Sequence, residues 1–395
     1  MSDTDFPAPS AEVDSITPLD LKARIDKGED VFILDTRAAS DYEEWSIEGD
    51  SVETLNVPYF EFLAGEPDEA VFDDIPTNET VTVLCAKGDS SEYVAGQLAD
   101  RGYDVVHLER GMNGWASIYE YEELDTDGDV TVAQYRRPSS GCLAYLIVSD
   151  GEAAVIDPLR AFVEEYQQDA RTMGADITYA IDTHIHADHI SGVRELAAAT
   201  NAEVVLPEPA IERGVEYDVD LAVTDGDELQ LGETTIEVVQ TPGHTTGMTS
   251  YRVDDVLFTG DGLFTESVAR PDLEGGDEGA PDAARQLYAT LQKRILTLSD
   301  ETFVAPAHFS DAAIPNADGT YTAQIGCLRA SMDALSMTVD EFVEFILSDM
   351  PPRPANYEEI IATNLGQNEI DDNDAFELEL GPNNCAASQD ALTGE

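Results

Sequence analysis

Base is what this chain has least of. Only 20 of its 395 residues are Lys or Arg, against 82 Asp or Glu, for a formal net charge of −62. Lysine is confined to Lys22, Lys27, Lys87 and Lys293. No basic stripe exists, so a nucleic-acid backbone finds no partner here. No apolar run reaches membrane-spanning length, and the start, MSDTDFPAPSAEVDS, lacks both a cationic region and an apolar core. The expectation is therefore a cytoplasmic protein with no membrane partner and no targeting segment, its first 14 residues forming an arm. Cysteine is scarce too. Cys85, Cys142, Cys327 and Cys385 are far apart and form no CxxC pair, which excludes a disulfide scaffold and a four-thiolate zinc knot. What is present is core: 42% of residues are hydrophobic, in clear strand and helix patterns, so this is not an unfolded acidic chain. The length suits two domains.

Histidine is also rare, and its placement is the most informative feature. Five of the six histidines fall in three short segments. THIHADH (183–189) carries His184, His186, Asp188 and His189; TPGHTTG (241–247) carries His244, with Asp261 following in FTGDG (258–262); PAH (306–308) carries His308. A single such histidine is ordinarily a satisfied core or surface residue. Five in this arrangement point to a metal. His184 and His186 are two apart, which in an extended segment turns both rings to one side. Neutral imidazole with carboxylate and no thiolate suits a divalent transition ion. ITYAIDT (177–183) reads as a buried strand delivering the first segment, and SGVRELAAA (191–199) as the helix after it.

These segments resemble the metallo-β-lactamase superfamily over roughly residues 129–310. The resemblance implies two sheets flanked by helices, an αββα domain expected over 129–312, with 313–395 as a C-terminal extension packed on it. FTGDGLFTESVARPDL (258–273) resembles persulfide dioxygenases, in which the metal aspartate is followed by a substrate-binding arginine, here Arg270. Residues 335–366 are similar to the tail of the same family: a short helix, a proline-rich turn and an asparagine near the end. That resemblance implies one Fe(II) held by His184, His244 and Asp261, leaving open positions for O2 and a sulfur substrate. His186, Asp188, His189 and His308 would then orient ligands or hold water. In a dinuclear hydrolase of the glyoxalase II type the same four would complete two Zn(II) sites. One departure is visible: Phe309 follows His308 where an aspartate is common.

Residues 12–122 carry a second set of signals. VFILDTR (31–37) looks like a core strand, and DYEEWSIEGDSVETLNVP (41–58) has Ile-x-Gly and Asn-Val-Pro signals. VTVLC (81–85) is a buried strand ending in Cys85, ahead of a tight loop of Ala86, Lys87, Gly88, Asp89 and Ser90 and then a helix pattern. DVVHLERGMNGW (104–115) closes with Gly-Met-x-Gly-Trp. The set resembles an α/β rhodanese-like domain. Loop N–H groups and a helix start behind a strand-end cysteine favour thiolate or persulfide there. Residues 121–129 (YEELDTDGD) read as a polar connector.

Acids are spread over the whole length rather than gathered into a tail, which resembles proteins of salt-in halophiles, where salt screens self-repulsion. The resemblance implies a sulfur-metabolism enzyme. A small thiol persulfide is oxidised by O2 to sulfite at iron, and Cys85 carries sulfane sulfur as a sulfurtransferase. Two alternatives stand beside it: a zinc thioester hydrolase, and a non-catalytic sulfur-relay or sensor module.

Overall fold

The computed structural model describes residues 13–387 apart from 64–68, 127, 129, 311 and 349. Most of the expected N-terminal arm (1–12), residues 127 and 129 of the expected connector, and 388–395 of the extension lie outside the described residues. The chain divides into two compact units, Met1–Ile118 and Tyr119–Glu395.

The first unit is built on a five-stranded sheet. Its strands are β1 (Asp14–Ile16), β2 (Val31–Asp35), β3 (Val52–Asn56), β4 (Val81–Leu84) and β5 (Val105–Leu108), in the order β1-β5-β4-β2-β3. Every pairing is parallel. Central strands of such a sheet are covered on both faces, so β2 and β4 are mostly apolar, with every residue buried.

The second unit has two sheets. The first holds β6 (Glu120–Glu123), β7 (Thr131–Arg137), β8 (Cys142–Ser149), β9 (Glu152–Ile156), β10 (Asp176–Ile181), β11 (Glu203–Pro207) and β12 (Leu221–Val223), in unbroken spatial sequence. The second holds β13 (Glu228–Leu231), β14 (Thr234–Gln240), β15 (Thr249–Val253), β16 (Val256–Gly260), β17 (Phe303–Pro306) and β18 (Ala323–Gln324), likewise in order. The period-two rule sorts β8 between two cores. Leu143, Tyr145 and Ile147 enter the apolar layer between the sheets. Cys142, Ala144 and Leu146 face the helical layer with Phe162 and Tyr166. A third core joins the helix Gly276–Thr290 to the C-terminal helices through Leu287, Leu291, Phe342 and Ile346. The result is the helix–sheet–sheet–helix sandwich that the sequence predicts.

One local expectation changes. Part of the segment read as a connector is a strand: β6 pairs antiparallel with β7, so the second unit begins at Tyr119, before the expected limit at 122. Tyr121 is the reason, because a tyrosine opposite Tyr135 makes a good cross-strand pair even in an acidic segment.

Candidate metal centre and persulfide loop

Four strand ends deliver the histidine segments. His184, His186, Asp188 and His189 lie on the loop after β10, His244 after β14, Asp261 directly after β16, and His308 after β17. Strands β14 and β16 are both antiparallel to β15, and β17 is parallel to β16, so these three end on one edge. Gly260 lets the loop close. Its φ is +51°, and a Cβ there would meet the Thr183 side chain at 2.5 Å.

His184, His244 and Asp261 come together, each buried, with one ligand atom apiece within 4.8 Å of the others. Their hydrogen bonds fix which atoms remain available. The Thr183 hydroxyl donates to Asp157 Oδ2 (3.0 Å), so it accepts from His184 Nδ1 (2.9 Å). His244 Nδ1 donates to the Arg270 carbonyl (2.8 Å), which can only accept. Each imidazole therefore turns the lone pair of Nε2 inward. Asp261 Oδ2 faces both, at 3.7 Å from His184 Nε2 and 3.5 Å from His244 Nε2. His184 Nε2 and Asp261 Oδ2 have no hydrogen-bond partner. Three converging lone pairs in a buried site favour a cation, and two imidazoles with one carboxylate fit a divalent metal. Burial, then the neighbouring His186, pushes the His184 pKa well below its ordinary value, so it stays neutral. Burial lowers His244 likewise.

The other expected residues form a different arrangement. Asp188 Oδ2 accepts from His308 Nε2 (2.7 Å), His189 Nδ1 (3.1 Å) and the Cys142 thiol (3.3 Å). His308 Nδ1 donates to Asp261 Oδ1 (2.6 Å), so both of its nitrogens are spent on carboxylates. Burial disfavours the His308 cation, but the Asp188 and Asp261 charges outweigh it and raise its pKa well above the usual range. Burial pushes Asp261 up, and His308 more than reverses this, holding it as carboxylate. His186 turns away from the triad. Its Nε2 lies 3.1 Å from Asp157 Oδ1 and 3.7 Å from Asp182 Oδ1. Burial and then His189 lower its pKa, but Asp157 and Asp182 win and lift it to about 9.

Arg270 does not present the fork expected for a substrate carboxylate. It is 1% exposed. Its Nε and Nη2 are bound by Asp272 at 2.7 and 3.1 Å, and Nη1 donates to the carbonyls of Pro352 (2.8 Å) and Asn384 (2.9 Å). The guanidinium is spent inside the protein, tying the tail to the His244 loop. Sequence alone hides this because Asp272, two residues on, reads as one acid among many.

Several residues outside the motifs hold the site. Asp157, just after β9 with a left-handed φ of 53°, carries Thr183 through its backbone N–H (2.7 Å) and its hydroxyl. Asn364 donates to the carbonyls of His186 (3.0 Å) and His189 (2.8 Å) and accepts from Ser191 N–H (2.9 Å). Glu379 accepts from Ile190 N–H (3.0 Å) and from Arg137 (2.7 Å), the pair being 1% exposed on both sides. Cys142 lies against Asp188, and Cys385 has its thiol within 4.8 Å of ligand atoms of Asp261 and His308. The asparagine was visible in the sequence as part of a tail motif. Glu379 gave no signal, since a buried acid looks like a surface acid in so acidic a chain.

In the first unit, Cys85 ends β4 and is 4% exposed. Its sulfur accepts from Gly88 N–H at 3.0 Å and lies 3.4 Å from the Ser91 hydroxyl, which is bonded to the Gly88 carbonyl (2.8 Å). Ala86, Lys87 and Asp89 are exposed around it, while Gly88 and Ser90 are buried. The helix Asp89–Asp100 starts behind this loop. The Gly-Met-x-Gly-Trp segment seals its base: Met112 N–H bonds the Cys85 carbonyl (2.8 Å), and a Cβ on Gly111 would sit 2.0 Å from that oxygen.

Fold and site together define a metal-centre domain preceded by a cysteine-loop domain. Residues 138–308 match the metallo-beta-lactamase superfamily and residues 17–118 the rhodanese-like domain. The chain belongs to the metallo-β-lactamase superfamily and carries a rhodanese-like domain ahead of it. It is 27% identical over 242 residues to the mitochondrial persulfide dioxygenase ETHE1 of Homo sapiens, covering 60% of this chain and 88% of that protein. It is 31% identical over 216 residues to a hydroxyacylglutathione hydrolase of Erythrobacter litoralis, covering 54% of this chain and 78% of that one. The crystal structure of ETHE1 from Myxococcus xanthus matches with a TM-score of 0.52 at 28% identity, over 63% of this chain and 100% of that chain. Among the described residues no helix is long and apolar enough to cross a membrane.

Proposed function

We propose that this chain oxidises a low-molecular-weight persulfide to sulfite with O2 at a single metal ion, and that Cys85 carries sulfane sulfur. The reaction balances as persulfide, O2 and water giving thiol, sulfite and two protons. His184 and His244, through Nε2, and Asp261, through Oδ2, would hold the ion. Iron(II) bound there would supply open positions for a sulfur anion and O2 and the redox chemistry between them. Thr183 and the Arg270 carbonyl keep both imidazoles in the tautomer that points a lone pair inward. His308 donates its Nδ1–H to Asp261 Oδ1, so that carboxylate offers one oxygen rather than two. At Cys85, a persulfide transfers its outer sulfur to sulfite: the S–S bond breaks, thiosulfate forms and the thiolate returns. The N–H of Gly88 favours that anion.

The observation that carries the reading is the difference in available atoms: three lone pairs converge at the triad, whereas both His308 nitrogens are occupied. The hydrolase relative keeps a second reading alive, because Asp188, His189 and His308 suit a second ion once their mutual hydrogen bonds are broken. The test is oxygen. We expect sulfite from a small persulfide in air and none under argon, with His244→Ala abolishing O2 uptake. Thioester hydrolysis under argon would overturn the proposal.

A further inference from the structure

Four tyrosines in the second unit have no part in the chemistry above. Tyr121 on β6 stands opposite Tyr135 on β7, ring centroids 5.2 Å apart. The Tyr135 ring is stacked 5.3 Å from Tyr119 and meets Tyr166 edge-on at 4.9 Å. The Tyr119 and Tyr166 hydroxyls are hydrogen-bonded to each other. The outer end is open, with Tyr121 38% exposed. The inner end is closed: Tyr135 and Cys142 are each 1% exposed, Tyr166 is fully buried, and all three share one core cluster. Cys142 is opposite Arg137, two residues on from Tyr135 on the same face of β7 and β8, so sulfur and ring are diagonal neighbours. The same sulfur lies 3.3 Å from Asp188 Oδ2 at the metal centre. A continuous line of oxidisable groups thus runs from that centre to the surface.

The hydroxyls distinguish this line from ordinary packing, which phenylalanine would supply equally well. Oxidising a buried phenol requires its proton to leave with the electron, so a base must be in contact. Tyr135 has one: its hydroxyl donates to the half-buried Asp169 carboxylate at 2.8 Å. The Tyr166 oxygen accepts from Leu159 N–H (3.1 Å), which orients the pair it forms with Tyr119.

We propose that Cys142, Tyr135 and Tyr121 form a path that carries one-electron oxidising equivalents between the metal centre and the surface. The physiological use rests on the oxygen chemistry proposed above: partly reduced oxygen formed without bound persulfide is the oxidant, and external thiol is the final reductant. Each step moves one electron inward and one hole outward. Cys142 gives an electron to the oxidant and its proton to Asp188; Tyr135 then refills the sulfur, which regains its proton from Asp188, while Tyr135 passes its own proton to Asp169. Tyr121 refills Tyr135, which regains its proton from Asp169; Tyr121 releases its own proton to solvent and is reduced in turn at the surface, where a thiol supplies an electron and a proton.

The path can be tested apart from dioxygenase activity by driving it backwards. The full chain is loaded with redox-silent zinc and irradiated with a ruthenium tris-bipyridine photo-oxidant and a sacrificial acceptor, a reagent too bulky to enter the core. Oxidation of each cysteine is then read by mass spectrometry. We expect Cys142 to be oxidised despite its burial, while Cys385, equally buried but outside the tyrosine cluster, is spared. Exposed Cys327 reports direct attack in every sample. Tyr121→Phe and Tyr135→Phe should bring Cys142 oxidation down to the level of Cys385, and Tyr121→Trp, which keeps an oxidisable ring at the surface, should restore it. Equal Cys142 oxidation in the wild type and both phenylalanine variants, or none in the wild type, would overturn the path. Because no iron or persulfide is present, either result leaves the dioxygenase reading untouched.

Discussion

Two clusters of the same residue types lie side by side in the second unit, and they differ in how their donor atoms are used. At His184, His244 and Asp261, hydrogen bonds from outside fix the rings and leave lone pairs facing one another. At Cys142, Asp188, His189 and His308, the groups bond one another around a single carboxylate oxygen, with both His308 nitrogens occupied and only His189 Nε2 and Asp188 Oδ1 left without a partner. A list of histidines and aspartates does not distinguish a metal site from a polar network. The direction of each proton does.

The comparison can be broken most directly at its stronger half. His244→Ala should remove the metal and all O2 uptake, whereas His308→Ala should keep the metal and only slow turnover. Loss of metal in both, measured by elemental analysis, would make the two clusters one site. Next in size is the support under the histidine loop. Glu379→Ala removes the carboxylate paired with buried Arg137, a change that typically costs about 3–5 kcal/mol, and the denaturation midpoint should fall accordingly. Asn364→Ala strands backbone groups of His186, His189 and Ser191 and should cost on the order of 1–3 kcal/mol while lowering metal affinity. An Asn364→Ala protein with unchanged stability and metal content would show that the loop holds itself. In the other unit, Cys85→Ser should leave O2 uptake on a free small persulfide near the wild-type rate and shift products from thiosulfate to sulfite. An unchanged product ratio would leave the rhodanese-like domain without a part in the reaction. Weakest at the metal centre, but general, is salt. Spread carboxylates repel within a Debye length of ~10 Å at 0.1 M and ~3 Å at 1 M, so the melting temperature should climb as KCl rises to molar levels. A midpoint indifferent to KCl would remove the halophile reading.

Much of this was legible in the sequence, for physical reasons. Buried strands such as Val31–Asp35 and Val81–Leu84 announce themselves by their mostly apolar residues, and a histidine-poor chain makes His184, His244 and His308 conspicuous. The misreadings share a cause. In a chain with 82 acids, an acid carries almost no information about burial, so Asp272, Glu379 and Asp169 went unseen. Arg270 was consequently expected to face a ligand when it faces Asp272. The acidic segment of Tyr121 hid a strand for the same reason, its register set by one aromatic pair.

Metal content of protein purified without oxygen, measured together with product formation in air and under argon, tests the single-site claim most directly. The account expects about one iron per chain, as one facial triad requires, and sulfite that forms only when O2 is admitted. Two tightly bound zinc ions per chain, with a thioester cleaved equally well under argon, would contradict it.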